Sequence, residues 1–232
     1  MKYIGLLSSD ARGKNGGNVA SRNRYGTYFR THVSPVQPRT PNQVANRQQF
    51  GAISGAWRSL TSAQQLGWNT LATTVVFKNT LGQPYNPTGA QLFMLFSRTL
   101  IATGGSAYAD APSTLPTIPA LTGITPTITV TTGAVSAMSL AFTPTPVPTG
   151  NALMVYASKV VSLGVNFTSR STYRFITYAT ASTASPLDVL SAYEAVFGTP
   201  AATGKIAFRA KFADTTTGYY GPLQAAIAIV GG

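Results

Sequence analysis

The chain has 232 residues and a net charge of +12, from 17 Lys and Arg against 5 Asp and Glu, with one histidine and no cysteine. That length fits two modest domains or one large one, and 44% hydrophobic residues supply a core. The composition excludes disulfide scaffolds, Cys-ligated zinc, thiol nucleophiles and His-rich metal sites.

Charged residues make up only 9%, against roughly 25% in an ordinary soluble domain. Thr, Ser, Ala, Gly, Asn and Pro stand in their place. Such a surface is weakly solvated and tolerates burial against neighbours, as in an assembly subunit; an extracellular-type β domain is the plainer alternative. The charge is also uneven. Residues 1–60 hold nine bases (Lys2, Arg12, Lys14, Arg22, Arg24, Arg30, Arg39, Arg47, Arg58) and one acid, Asp10. A basic half of this kind suits an anionic partner: nucleic acid, a membrane surface or an acidic protein face.

In chain order, KYIGLL predicts a short strand and DARGKNGG a loop, because its glycines allow positive φ and its polar residues offer no core face. NVASRNRYGTYFRTHV predicts a hairpin turning near residues 23–26, or one long strand. Alternation along its second arm puts Tyr25, Phe29 and Val33 on one face and Tyr28, Arg30 and His32 on the other. Three prolines make SPVQPRTP an extended connector. Thr40 then caps a helix with Pro41 in its first turn, and Val44, Phe50, Ile53 and Trp57 follow at roughly helical spacing. Thr61 and Gln64 form a capping-box pattern opening a second helix with Leu66, Trp68 and Leu71. VVFKNTLGQPYNPTG reads as irregular or a small hairpin. GAQLFMLFSRTLIATGG reads as a third helix stopped by Gly104 and Gly105.

The Pro/Ala/Ser-rich stretch 105–119 predicts a linker. From 120 onward the period changes to two in TPTITVTT, MSLAFTP, ALMVYASK, TYRFITYAT, KIAFRAKFAD and GPLQAAIAIV. That pattern predicts an antiparallel β-sandwich of about seven strands, similar to immunoglobulin or fibronectin type III domains. LDVLSAYEAVFG breaks the alternation and predicts a helical turn between the sheets. The expected organisation is therefore α+β and multidomain: a basic ribbon at 1–40, a helical domain at 41–104, a linker at 105–119 and a sandwich at 120–232.

Chemistry is sparse. Asp188 and Glu194 are six residues apart and make no helical pair. No G-x-S-x-G motif accompanies His32, and GKNGGN lacks the spacing of a phosphate-binding loop. The sequon at Asn166 means little without a secretory signal. The apolar run in MKYIGLLSSD is too short for a signal-peptide core, and LFMLF and AAIAIV are too short to span a bilayer. The expectation is synthesis in the cytoplasm, no membrane span, no cofactor, no metal and no enzymatic activity.

SRNRYGTYFRTHVSP, residues 21–35, is the one dense constellation. Three readings compete. It docks on a neighbouring subunit, with Tyr25, Tyr28, Phe29 and Val33 as anchors and Arg22, Arg24 and Arg30 as polar fasteners. It folds back on its own helices. Or it binds nucleic acid, with arginines on phosphates and aromatics on bases. A sandwich that binds carbohydrate would use exposed aromatics, with Tyr219 and Tyr220 as candidates.

The elements Gly13, Lys14, Gly16; Ser21, Arg22, Asn23, Gly26, Tyr28, Arg30; Val33, Pro35, Pro38, Thr40; and Gln43, Arg47 follow one another in a pattern that resembles uncharacterised structural proteins of tailed phages and prophage-rich bacterial genomes. WRSLTSAQQLGWN resembles the W-x-x-L-T-x-A-Q-R-x-A-W element of the same proteins, with Gln65 where a base is expected. The resemblance covers the first 100 residues. It implies a virion structural protein, a capsid decoration or a tail or fibre component, whose partners are copies of itself or other virion proteins. A bacterial extracellular filament subunit and a basic nucleic-acid-binding virion protein are the alternatives.

Overall fold

The structure, a computed structural model, describes residues 12–23, 26–78, 81–107, 109–165 and 170–230. The strand expected in KYIGLL and the sequon at Asn166 lie outside the described residues. The chain forms two compact units, Met1–Asn46 and Arg47–Gly232. It is mixed α and β, with four helices and several antiparallel sheets among the described residues, none of them closed.

The first unit holds a three-stranded antiparallel sheet of β1 (Gly13–Asn15), β2 (Asn18–Asn23) and β3 (Gly26–Thr31), in that order. The hairpin expected near residues 23–26 joins β2 to β3, with Asn23 opposite Gly26. Residues 13–15, read from sequence as loop, pair with β2 instead, Asn15 opposite Asn18. A ladder needs only backbone groups and a tight reversal. Gly16, at φ +57°, supplies that reversal without a Cβ clash.

Three helices follow. Helix α1 (Pro41–Ser59) starts at the expected cap: the Gln43 amide donates to Thr40 Oγ1 at 3.4 Å and the Val44 amide to the Thr40 carbonyl at 3.0 Å. Every residue from 41 to 52 is exposed except half-buried Gln49; Ile53 is the first buried one. Helix α2 (Ser62–Thr74) carries the capping box read from sequence, with Gln64 Oε1 accepting from the Thr61 amide at 2.9 Å. A small hairpin, β4 (Phe77–Lys78) with β5 (Pro84–Tyr85), leads to α3 (Gly89–Ala102). At its end the Gly104 amide donates to the Ile101 carbonyl and the Gly105 amide to the Leu100 carbonyl. This is a Schellman stop, and Gly104 takes the positive φ it needs, +84°. Trp68 is wholly buried between the helices, edge-on to Phe93 at 5.4 Å and to Phe96 at 5.8 Å. Residues 109–115 run along this core: Trp68 Nε1 donates to the Ala109 carbonyl at 3.1 Å, and Ala111 and Leu115 pack against the cluster.

Seven further strands make two sheets. They are β6 (Gly123–Thr131), β7 (Ala134–Thr143), β8 (Asn151–Ser158), β9 (Tyr173–Ala179), β10 (Leu187–Asp188), β11 (Gly204–Asp214) and β12 (Gln224–Val230). One sheet has order β10-β7-β6, the other β12-β11-β8-β9. Helix α4 (Leu190–Phe197) connects β10 of the first to β11 of the second, as expected of a helical turn between sheets. Both sheets contribute to one core, with Met138, Leu140 and Phe142 from β7 against Leu153 and Val155 of β8 and Phe208 and Phe212 of β11. Tyr193 of α4 enters the same core and donates its hydroxyl to the Ser158 carbonyl at 3.2 Å. The edge strands β6 and β12 lie side by side without a shared ladder.

Alternation fails in β8, where seven of eight residues are buried. The reason is a second cover. Its outward residues, such as Met154, lie under the helical layer, where Gly104 sits against the Tyr178 hydroxyl and Gly218 against the Phe96 carbonyl. Helices and sheets thus share one compact unit.

Candidate functional site

The expected anchors divide between the two faces of the N-terminal sheet. Directly opposed residues of an antiparallel pair share a face. Phe29 faces Ala20 and Thr27 faces Arg22, so Phe29 and Arg22 lie on one side. Tyr28 faces Ser21 and Arg30 faces Val19, which puts Tyr28 and Arg30 on the other. Tyr28 and Phe29 are half-buried, while Arg22 and Arg30 are exposed. Arg24 and Tyr25 lie outside the described residues. Val33 falls beyond the end of β3, in the proline connector, and is 71% exposed; Val36 is 90% exposed. Two further large apolar residues stand out in α1, Phe50 at 61% and Val44 at 36%.

A second constellation, not singled out from sequence, occupies the outer face of the four-stranded sheet. Arg209 stacks its guanidinium 3.9 Å over the Tyr173 ring. Lys211 Nζ lies 3.1 Å over the Tyr220 ring and 6.0 Å from that of Tyr156, which itself packs edge-on to Phe175 at 5.6 Å. Burial, helped by the nearby Arg98 charge, pulls the Lys211 amine down to about 8. Burial also pushes the Tyr156 hydroxyl up to about 12 and raises that of Tyr220. The sequence signal was present: in KIAFRAKFAD, Arg209 and Lys211 sit two apart and therefore share one face. Tyr219 and Tyr220 are packed here rather than displayed, Tyr219 against Phe96 at 5.8 Å and Tyr220 beneath Lys211.

The acids are dispersed into local structural roles. Asp110 Oδ1 accepts from Gln64 Nε2 at 3.0 Å, and Asp188 Oδ1 accepts from the Leu190 amide at the start of α4. Asp214 Oδ1 accepts from the amides and hydroxyls of both Thr216 and Thr217. Burial acts to raise that carboxyl, but the four hydrogen bonds outweigh it and hold it below the ordinary range. Among the described residues no three His, Asp or Glu side chains come together, and no helix is long and apolar enough to cross a membrane.

Matched against models of known protein families, curated proteins and solved structures, the chain finds no counterpart in any of the three.

Proposed function

We propose that the chain is a non-enzymatic structural subunit of a multi-subunit assembly, a phage-like virion protein that docks through its N-terminal arm. One observation carries the reading. The arm is a compact unit by itself, and it exposes Val33 and Val36 on a segment that also exposes Arg12, Lys14, Arg22, Arg30 and Arg39, with no acid between residues 11 and 46. Exposed apolar residues on a cationic segment suit a protein neighbour, since phosphates match only the charge. The body supports the same reading. Its two antiparallel sheets around one core resemble an immunoglobulin-like or fibronectin-like sandwich, which would face outward or pack against neighbours.

Negative-stain electron microscopy of the nucleic-acid-free chain at low and high salt tests this. Regular filaments, rings or shells that survive high salt are the expected result. Dispersed monomers together with DNA binding that falls log-linearly with salt would replace the reading with the nucleic-acid alternative.

A further inference from the structure

Helix α2 and the strap at 111–115 enclose an open groove of about 730 Å³. Its floor and walls include Ala63, Leu66, Gly67, Thr70 and Leu115, and no Lys or Arg lines it. Leu66 is 65% exposed there, on a helix that carries no charge of its own. Asp110, one residue before the strap, is exposed at the end of the groove where Gln64 holds it.

The connector has the complementary character. Pro35 and Pro38 fix their own φ and keep Ser34 and Gln37 extended. In such a three-residue left-handed repeat, Val33 and Val36 recur on one edge, and Arg39, at φ +49°, ends the repeat just before the helix. All three are exposed. From residue 33 to 38 the connector spans about 16 Å at ~3.1 Å per residue. Helix α2 from Ala63 to Thr74 spans a similar length, about 16 Å at ~1.5 Å per residue. Little conformational entropy is lost when a proline-held segment docks.

Resting on the arm-docking reading above, we propose that the Val33–Val36 edge of one copy occupies the α2–strap groove of a second copy, with Arg39, at the end of the connector, meeting Asp110. Charge selects this acceptor. The half-buried Lys205 and Arg209 of β11 would repel a basic connector, whereas the groove is uncharged with an acid at its end. Because each copy then offers both arm and groove, the contact is heterologous and propagates.

The absence of cysteine allows a direct test. A V36C/T70C variant, assembled and then oxidised, is expected to give a ladder of disulfide-linked multimers on a non-reducing gel. A V36C/S136C control, with its second thiol at an exposed position of β7, is expected to give none. An equal ladder in the control, a disulfide confined to the monomer, or a chain that stays monomeric overturns the proposal. Two exposed-site variants separate it from the reading beneath it. V36D and L66D should each abolish assembly while leaving the thermal transition in place. Loss with V36D alone means that the arm docks elsewhere and only the groove assignment fails. Assembly intact in both variants refutes arm docking itself.

Discussion

Replacing Lys211 with Met should change the pH dependence of stability in a defined direction. In the fold the amine titrates near 8, against 10.5 when unperturbed, because burial removes water from the charge and Arg98 repels it. The folded pKa is lowered, so the cost of the buried charge is complete below pH 8. It is relieved as pH rises toward 10.5, where the unfolded chain binds the extra proton. Between pH 7 and 10 this amounts to a rise of about 2 kcal/mol in the stability of the native chain, from ~1.4 kcal/mol per pKa unit. The Met variant loses the cation–π contact with Tyr220, worth about 1 kcal/mol, and also loses the burial cost. It should therefore be more stable than the native chain by about 2 kcal/mol at pH 7, and the difference should fall to about zero by pH 10. Urea unfolding followed by the fluorescence of Trp57 and Trp68 measures both profiles. Above pH 10 the Tyr156 and Tyr193 hydroxyls, both near 12 in the fold, reverse the trend, so the comparison belongs below that point. Parallel profiles for the two proteins from pH 7 to 10 would refute the reasoning.

Three further substitutions probe the body. Gly218 sits at φ +75° with its α-carbon against the Phe96 carbonyl, so G218A should cost at least about 2 kcal/mol in urea unfolding. D214A removes four hydrogen bonds and should cost about 2 kcal/mol at pH 7. Because the Asp214 carboxyl is held below its ordinary range, that contribution is complete above pH ~4 and fades as pH falls through the lowered folded value, so the two proteins should converge in acid. W68A empties the centre of the helical core and should cost about 3–5 kcal/mol, seen as a fall in the urea midpoint.

Local signals were the legible part of the fold. Thr40–Pro41, the Thr61–Gln64 box and Gly104–Gly105 each act within a few residues, and each marks the helix boundary it specifies. Most of the later strands were legible because one buried face imposes a period of two; β8, covered on both faces, is the exception. What sequence left open arises from contacts between distant segments. Residues 105–119 look like a linker by composition, yet they supply the Ala109 carbonyl that satisfies the Trp68 indole. The strand at 13–15 carries no apolar pattern because a backbone ladder alone defines it. Arg209 and Lys211 carry no local signal of their stacking, because Tyr173 and Tyr220 are brought under them only by β9 and the turn after β11. For the arm, alternation correctly separated Phe29 from Tyr28 and Arg30, whereas Val33 lies past the strand end, in the connector.

Sedimentation velocity of the full chain beside a V33D/V36D variant, at 0.15 and 1 M NaCl, tests the central claim most directly. The account expects the native chain to sediment as large species at both salt concentrations and the variant as a folded monomer at both. Large species in the variant, or a native chain that is monomeric throughout, would contradict assembly through the arm.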